Sequence, residues 1–444
     1  MGVLLHDGAQ SELVKEEVEE DQSPQTHSLY NHLYSFKEPR HNPITAVRIS
    51  PNGKYIALST QKIIKIYNLH TRELITELRG HAKGISDIRF SPINSTIIAS
   101  CSDDLTIRIW SFNPTSNKPP VNPSSTSNFK FTSNFSTTSM KNSSYQCLKV
   151  LKKHTFYVTT IQFNSKGNLL ISGSADETIT IWDIISGKIL TTLAAHSDPI
   201  SSLALTPDDS IIISASYDGL IRLFDLELYQ CLKTLTTNAT THGTATVSLS
   251  SKELQNYPIG NVESSPNGKY ILSSSLDGMV RLWDYMDNKV VKTFTGRMSS
   301  PVCERYNCEL RFVTHGDKRL VISGSDCDGI LCWDIKLKKI VWSFTTTESD
   351  FNDTKYEPRD NKIDNIKSEK TEKEVSEKET ENHKQADEIC ENQEQNGNEQ
   401  QKSLESPILS LDIFDEGRLL VTGNMDGVVS VFEMKKQDGQ KNGQ

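Results

Sequence analysis

Seven times along the chain an apolar–polar–apolar triplet is followed by an aromatic residue and then by a small polar or acidic one. The copies are Ile64-Lys65-Ile66-Tyr67-Asn68, Ile107-Arg108-Ile109-Trp110-Ser111, Ile179-Thr180-Ile181-Trp182-Asp183, Ile221-Arg222-Leu223-Phe224-Asp225, Val280-Arg281-Leu282-Trp283-Asp284, the variant Ile330-Leu331-Cys332-Trp333-Asp334, and Val429-Ser430-Val431-Phe432-Glu433. Strict alternation over such runs predicts a strand with two unlike faces. Other positions keep register with the aromatic. Six residues before it stands an aspartate in five copies, Asp104, Asp176, Asp218, Asp277 and Asp426, with Gln61 and Cys327 as the exceptions. Ten residues before it stands a hydroxyl in six copies, Ser100, Ser172, Ser214, Ser273, Ser323 and Thr422, with Ala57 as the exception. His81, His154 and His196 lie 28 or 29 residues upstream of Trp110, Trp182 and Phe224.

The spacing sets a period and exposes what interrupts it. Tyr67 to Trp110 is 43 residues and Trp182 to Phe224 is 42, one supersecondary unit each. Trp110 to Trp182 is 72, Phe224 to Trp283 is 59 and Trp333 to Phe432 is 99. The excess falls on residues 113–145, rich in Ser, Thr and Asn, on 237–258, Thr-rich and then polar, and on 346–405, made of Glu, Lys, Gln and Asn. Such compositions cannot bury enough apolar surface to fold, so all three read as solvated inserts. Residues 1–26, with the acidic run at 16–21, and the tail at 435–444 read as disordered in the same way. The last copy has strands near 408–414, 418–422 and 428–433 and no fourth afterwards, while an unattached strand at 29–36 precedes the first copy. Pairing that strand with the last copy would close a ring and remove an exposed sheet edge.

These repeats resemble the WD-repeat family, whose unit is a four-stranded blade of about 40–45 residues with Gly-His and Trp-Asp signatures. The resemblance spans residues 27–434 and implies an all-β, seven-bladed β-propeller closed by its N-terminal strand. It also implies a buried hydrogen-bonded network in each well-formed blade: His81, Ser100, Asp104 and Trp110, then His154, Ser172, Asp176 and Trp182, then His196, Ser214 and Asp218. A buried imidazole or carboxylate is costly unless paired, and a closed network meets that cost.

Charge and candidate chemistry narrow the function classes. Between 346 and 405 there are nine basic and eighteen acidic residues, which accounts for the whole net charge of −9. The remainder is near neutral, so the basic footprint of a direct nucleic-acid binder is absent. No apolar run reaches the ~20 residues that span a bilayer, and the first ten residues lack the pattern of a secretory signal. Eight cysteines do not make a dense disulfide framework, so a cytosolic or nuclear protein with reduced thiols is expected. The recurring His and Asp residues follow the blade period, whereas an active site or metal site needs one constellation. Cys303 and Cys308, with Cys327 and Cys332, form two C-x4-C pairs of loosely zinc-like spacing. Cys332, however, precedes Trp333 in a strand and Cys327 holds the aspartate position, so buried or incidental thiols are the better reading. There is no phosphate loop and no nucleophile elbow; the Gly-Lys of 51–54 and 266–269 falls in hairpin turns. No catalytic residue, metal or cofactor is expected.

Finer matches point to one branch of the family. His196-Ser197-Asp198-Pro199-Ile200-Ser201, Ser216-Tyr217-Asp218-Gly219-Leu220, Ser265-Pro266-Asn267-Gly268-Lys269-Tyr270, Lys292-Thr293-Phe294-Thr295-Gly296 and Gly84-Ile85-Ser86-Asp87 resemble the WD-repeat core subunit of COMPASS-type complexes, which methylate histone H3 lysine 4. The Asn/Ser-rich inserts suggest a fungal version. The resemblance implies a nuclear, non-catalytic scaffold whose partners are a SET-domain methyltransferase subunit and a second WD-repeat subunit, with the histone H3 tail as a further candidate. At the central opening it implies partner-binding positions at Ser86, Asp103, Ser201 and Tyr217. The two aromatic rings that grip an arginine in animal relatives fall here on Thr159 and Glu309, so the cation–π contribution of about 0.5–2 kcal/mol each is missing. In a side groove between the fifth and sixth blades it implies Asn267, Tyr270, Leu282, Lys292 and Lys336, a set suited to an acidic and apolar segment. Two other classes compete: a propeller substrate receptor in another complex such as a ubiquitin ligase, and an enzyme using the central channel. The first commonly gathers arginines around the opening and the second needs a clustered acid/base or metal set; the aligned opening offers neither.

Overall fold

The computed structural model describes residues 29–38, 41–114, 144–236, 256–345 and 406–435. The expected disordered segments at 1–26 and 435–444 and the cores of the three inserts lie outside these, apart from Lys435. The insert expected at 113–145 already ends in a strand at Tyr145–Lys152.

Twenty-eight strands, numbered β1 to β28 in chain order, form seven four-stranded sheets among the described residues. Blades 1 to 6 occupy residues 44–79, 85–152, 158–194, 200–235, 259–294 and 310–344 in order, each an up-and-down meander. Blade 7 is composite: β26 (Ile408–Phe414), β27 (Leu419–Asn424) and β28 (Val428–Met434) are completed by β1 (Tyr30–Lys37), antiparallel to β28. Tyr30 and Tyr34 of β1 are buried, and their hydroxyls donate to the carbonyls of Gly417 (2.7 Å) and Leu69 (2.6 Å). The ends of the ring meet where Lys435 N–H donates to the Leu29 carbonyl at 2.9 Å.

The core is divided in the same way. Seven apolar clusters lie between successive blades, including one between blades 7 and 1. Each repeat's signature aromatic packs against the preceding blade: Trp110 sits with Ile64 and Ile66, Trp182 with Ile107 and Ile109, Trp283 with Ile221 and Leu223. The sheets approach closely, and Gly324 shows why a side chain is excluded there: a Cβ would stand 2.3 Å from the Ile408 carbonyl oxygen of the next blade.

Among the described residues three blades carry the His–Asp–Ser network, two of them with a tryptophan bond as well. His81 Nδ1 lies 2.9 Å from Asp104 and its Nε2 2.7 Å from the Ser100 hydroxyl, which also accepts from Trp110 Nε1 at 2.8 Å. His154, Asp176, Ser172 and Trp182 repeat this at 3.0, 2.8 and 2.9 Å, and His196 joins Asp218 and Ser214 at 2.9 and 2.8 Å. Blades without the histidine improvise. In blade 5 Arg281 takes Asp277, and Trp283 keeps its bond to Ser273 at 2.8 Å. In blade 6, where cysteine replaces the aspartate, Trp333 Nε1 turns to the Thr295 carbonyl at 2.9 Å.

Burial holds the His81 imidazole below its ordinary pKa despite the Asp104 carboxylate. Burial opposes ionisation of Asp104 as well, but bonds from Thr106, the Ala82 N–H and His81 outweigh it and bring that carboxyl to about 2. Both folded values lie below the unfolded ones of about 6.5 and 3.9. The stabilisation is therefore complete at neutral pH and lost as pH falls, first below about 6.5 and then below about 4. Urea midpoints at pH 7, 5 and 3.5 should fall in that order, and Asp104→Asn should flatten the step below pH 5. An unchanged slope in the variant would refute this account.

Candidate functional sites

The first strands of the blades, β2 (Ile44–Ile49), β6 (Ile85–Ser91), β10 (Val158–Phe163), β14 (Ile200–Leu205), β18 (Ile259–Ser264), β22 (Leu310–His315) and β26, contact one another in sequence around the axis and line the lumen. Six of the seven, all but β22, carry a register shift after their first residue. Such bulges re-aim side chains at the ends of strands, and here they lie next to the opening.

The residues expected at that opening divide into two kinds. Ser86 donates to Asp103 at 3.2 Å, and both are half-buried. Tyr217, 38% exposed, accepts at 2.6 Å from Asn307, whose amide lies against Gly260. Ser201 and Thr159 are used within the fold instead. The Ser201 hydroxyl donates to the Ile259 carbonyl at 2.6 Å and the Thr159 hydroxyl to the Ile200 carbonyl at 2.5 Å, each reaching the next blade. Thr45 does the same to Ile85 at 2.7 Å. These hydroxyls staple blade to blade, a role their sequence position did not reveal. Glu309 is likewise used within the fold: its carboxylate accepts from Arg48, the Ser410 hydroxyl and the Leu411 N–H.

A cavity of about 680 Å³ runs across blades 5 and 6 and reaches blade 7. Asn267, Tyr270, Leu282 and Lys292 of the expected groove line it. Their positions follow from local structure: Asn267 sits in the turn between β18 and β19 (Tyr270–Ser275), where its side chain accepts from Ser265 and the Lys269 N–H, while Leu282 and Lys292 are directly paired across β20 (Met279–Asp284) and β21 (Lys289–Phe294). Lys336 does not line the cavity; it is exposed beside it, and its neighbour Ile335 forms the wall. The Lys292 ammonium is also less available than a surface lysine, because it donates to the carbonyls of Ile335 (2.5 Å) and Lys336 (3.0 Å). Sequence reasoning missed Phe312, Val313 and Arg319, which β22 and β23 (Lys318–Gly324) supply. The signal was present as the Phe312 and Arg319 positions of the blade 6 hairpin, but no repeat position marks them.

Among the described residues no group of three or more His, Cys, Asp or Glu side chains is placed to hold a metal ion. Burial raises the Cys303 thiol to about 12, and the Cys308 thiol lies 3.6 Å from Asp326.

A family model described as the WDR5 beta-propeller domain matches residues 37–375, and a WD-domain, G-beta-repeat model matches 398–433. The chain belongs to the WDR5-type WD-repeat propeller family. This WD-repeat propeller is 33% identical over 301 residues to COMPASS component SWD3 of Saccharomyces cerevisiae, covering 67% of this chain and 82% of that protein. Shorter likenesses join the propeller to nuclear distribution protein PAC1 of Fusarium vanettenii, 31% identical over 36% of this chain and 33% of the relative, and to Polycomb protein EED of Chaetomium thermophilum, 31% identical over 27% of this chain and 17% of the relative.

Proposed function

We propose that this propeller is the non-catalytic WD-repeat subunit of a COMPASS-type histone H3 lysine 4 methyltransferase, working in the nucleus. It positions a SET-domain subunit and receives an acidic, apolar segment of a second WD-repeat subunit in the groove of blades 5 and 6. The similarity to SWD3 over most of that protein supports the complex. The observation that carries the docking role is the groove itself: an apolar floor of Tyr270, Leu282, Phe312 and Val313, with Arg319 at its edge and Lys336 nearby. An aromatic and aliphatic floor anchors apolar side chains, while cations at the rim steer and orient an acidic neighbour.

Purification of the tagged full chain should bring down a SET-domain protein and a second WD-repeat protein; recovery without a SET-domain protein rejects the complex. Because Lys292 is tied to backbone carbonyls, charge reversal is better placed at Arg319 and Lys336. Arg319→Glu with Lys336→Glu should weaken binding of the second subunit about tenfold (~1.4 kcal/mol) in calorimetry. Equal affinity would reject the groove as its docking site.

A further inference from the structure

Beneath the rim the lumen is filled by the chain's own side chains. Arg48 of β2 is 3% exposed. Its Nη2 donates to Asp87 Oδ1 at 2.7 Å and Glu309 Oε1 at 2.5 Å, and its Nη1 donates to Glu309 Oε2 at 2.8 Å, Ser410 Oγ at 3.1 Å and the Val47 carbonyl at 2.7 Å. The Ser410 hydroxyl and the Leu411 N–H both donate to Glu309 Oε2, at 2.6 and 3.0 Å. One guanidinium thus joins blades 1, 2, 6 and 7, with a forked pair to Glu309. The other charged groups facing this cluster are Arg89, 3.4 Å from Asp87, and Arg311, 3.9 Å from Glu309, 3.3 Å from Glu263 and 3.7 Å from Asp412. The bond set is that of a guanidinium receptor: two carboxylates from different blades, one of them bidentate, and a hydroxyl oriented by its own acceptor.

We propose that Arg48 is the resident ligand of this receptor, so the protein answers its own lumen site and turns arginine-bearing partners away from the opening. Both oxygens of Glu309 are already committed to Arg48. A guest guanidinium reaching the same acceptors would meet Arg48 within a few ångströms, like charge against like charge in a buried setting. Partner binding through the rim is then limited to what Ser86, Asp103, Asn307 and Tyr217 can hold at the surface.

The proposal concerns the isolated chain, so its test does not depend on which complex the protein joins. The full-length protein and its Arg48→Ala variant are titrated with N-acetyl-arginine N-methylamide, its citrulline analogue and methylguanidinium, and followed by calorimetry and thermal melting. The wild type should bind none of them. The variant should melt lower, bind the arginine amide and methylguanidinium in the millimolar range, and regain melting temperature with both, while the citrulline analogue does nothing. Should Arg48→Ala fail to fold, Arg48→Gln removes the charge and the guanidinium fork but keeps a shorter polar side chain, and the same rescue is expected. Arginine amide binding to the wild type within about tenfold of its affinity for the variant would overturn the proposal. So would a variant that folds and ignores methylguanidinium.

Discussion

A chain lacking residues 1–37 is expected to lose its cooperative melt and to elute as soluble aggregate. Deletion removes the fourth strand of blade 7 and leaves the β28 ladder unpaired, a template for pairing with another chain. It also withdraws Tyr30 and Tyr34, both buried, which hydrogen-bond to Gly417 of blade 7 and Leu69 of blade 1. Emptying two aromatic sites at about 3–5 kcal/mol each consumes most of the ~5–15 kcal/mol that holds a domain folded. Gel filtration and a circular dichroism melt decide the matter. A truncated chain that stays monomeric and melts at the full-length temperature would show that β1 is an ornament of the ring.

Glu309→Ala is expected to cost about 3–5 kcal/mol, because it removes the bidentate partner of the buried Arg48 guanidinium and leaves it Asp87 alone. Burial opposes the charge on Glu309, yet Arg48 first and Arg311 next bring its carboxyl down to about 2. Its contribution is therefore present above the unfolded value of about 4.3 and fades as pH falls toward 2. Replacing both partners, Glu309→Leu with Arg48→Met, should recover most of the loss, since the forked pair leaves together and Asp87 keeps Arg89 at 3.4 Å. Urea unfolding of the single and double variants provides the comparison. If the double variant is no more stable than Glu309→Ala alone, the cost comes from packing and not from the under-paired cation.

The ring was legible before its coordinates because its determinants are local and repeated. The aromatic after each alternating triplet and the serine ten residues before it meet in one hydrogen bond in blades 2, 3 and 5. The missing strand of the last repeat and the spare strand ahead of the first match in the sequence, and β1 does pair with β28. The lumen was harder to see. Arg48, Arg89, Glu263, Arg311 and Asp412 each follow the same apolar position in their first strands. Alternation alone reads such residues as solvent-facing, since a strand's period does not say whether its polar face meets water or the facing strands of a closed ring. Ser201 posed a different difficulty: its partner, the Ile259 carbonyl, belongs to the next blade, and no linear spacing encodes a bond across that gap. For Lys292 the strand face was readable but the reach of a flexible side chain back to the Ile335 carbonyl was not.

The bond between Leu29 and Lys435 brings the first and last described residues of the ring side by side. Asn113 and Ser144 are likewise joined, N–H to carbonyl at 2.9 Å, across the insert of blade 2. The chain could therefore be cut at one of these junctions and spliced at the other without moving a strand. A circular permutant that starts after the blade 2 insert and bridges the old termini with a short flexible linker would convert the blade 7 seam into an ordinary hairpin. Cargo fused to its new ends would then project from blade 2.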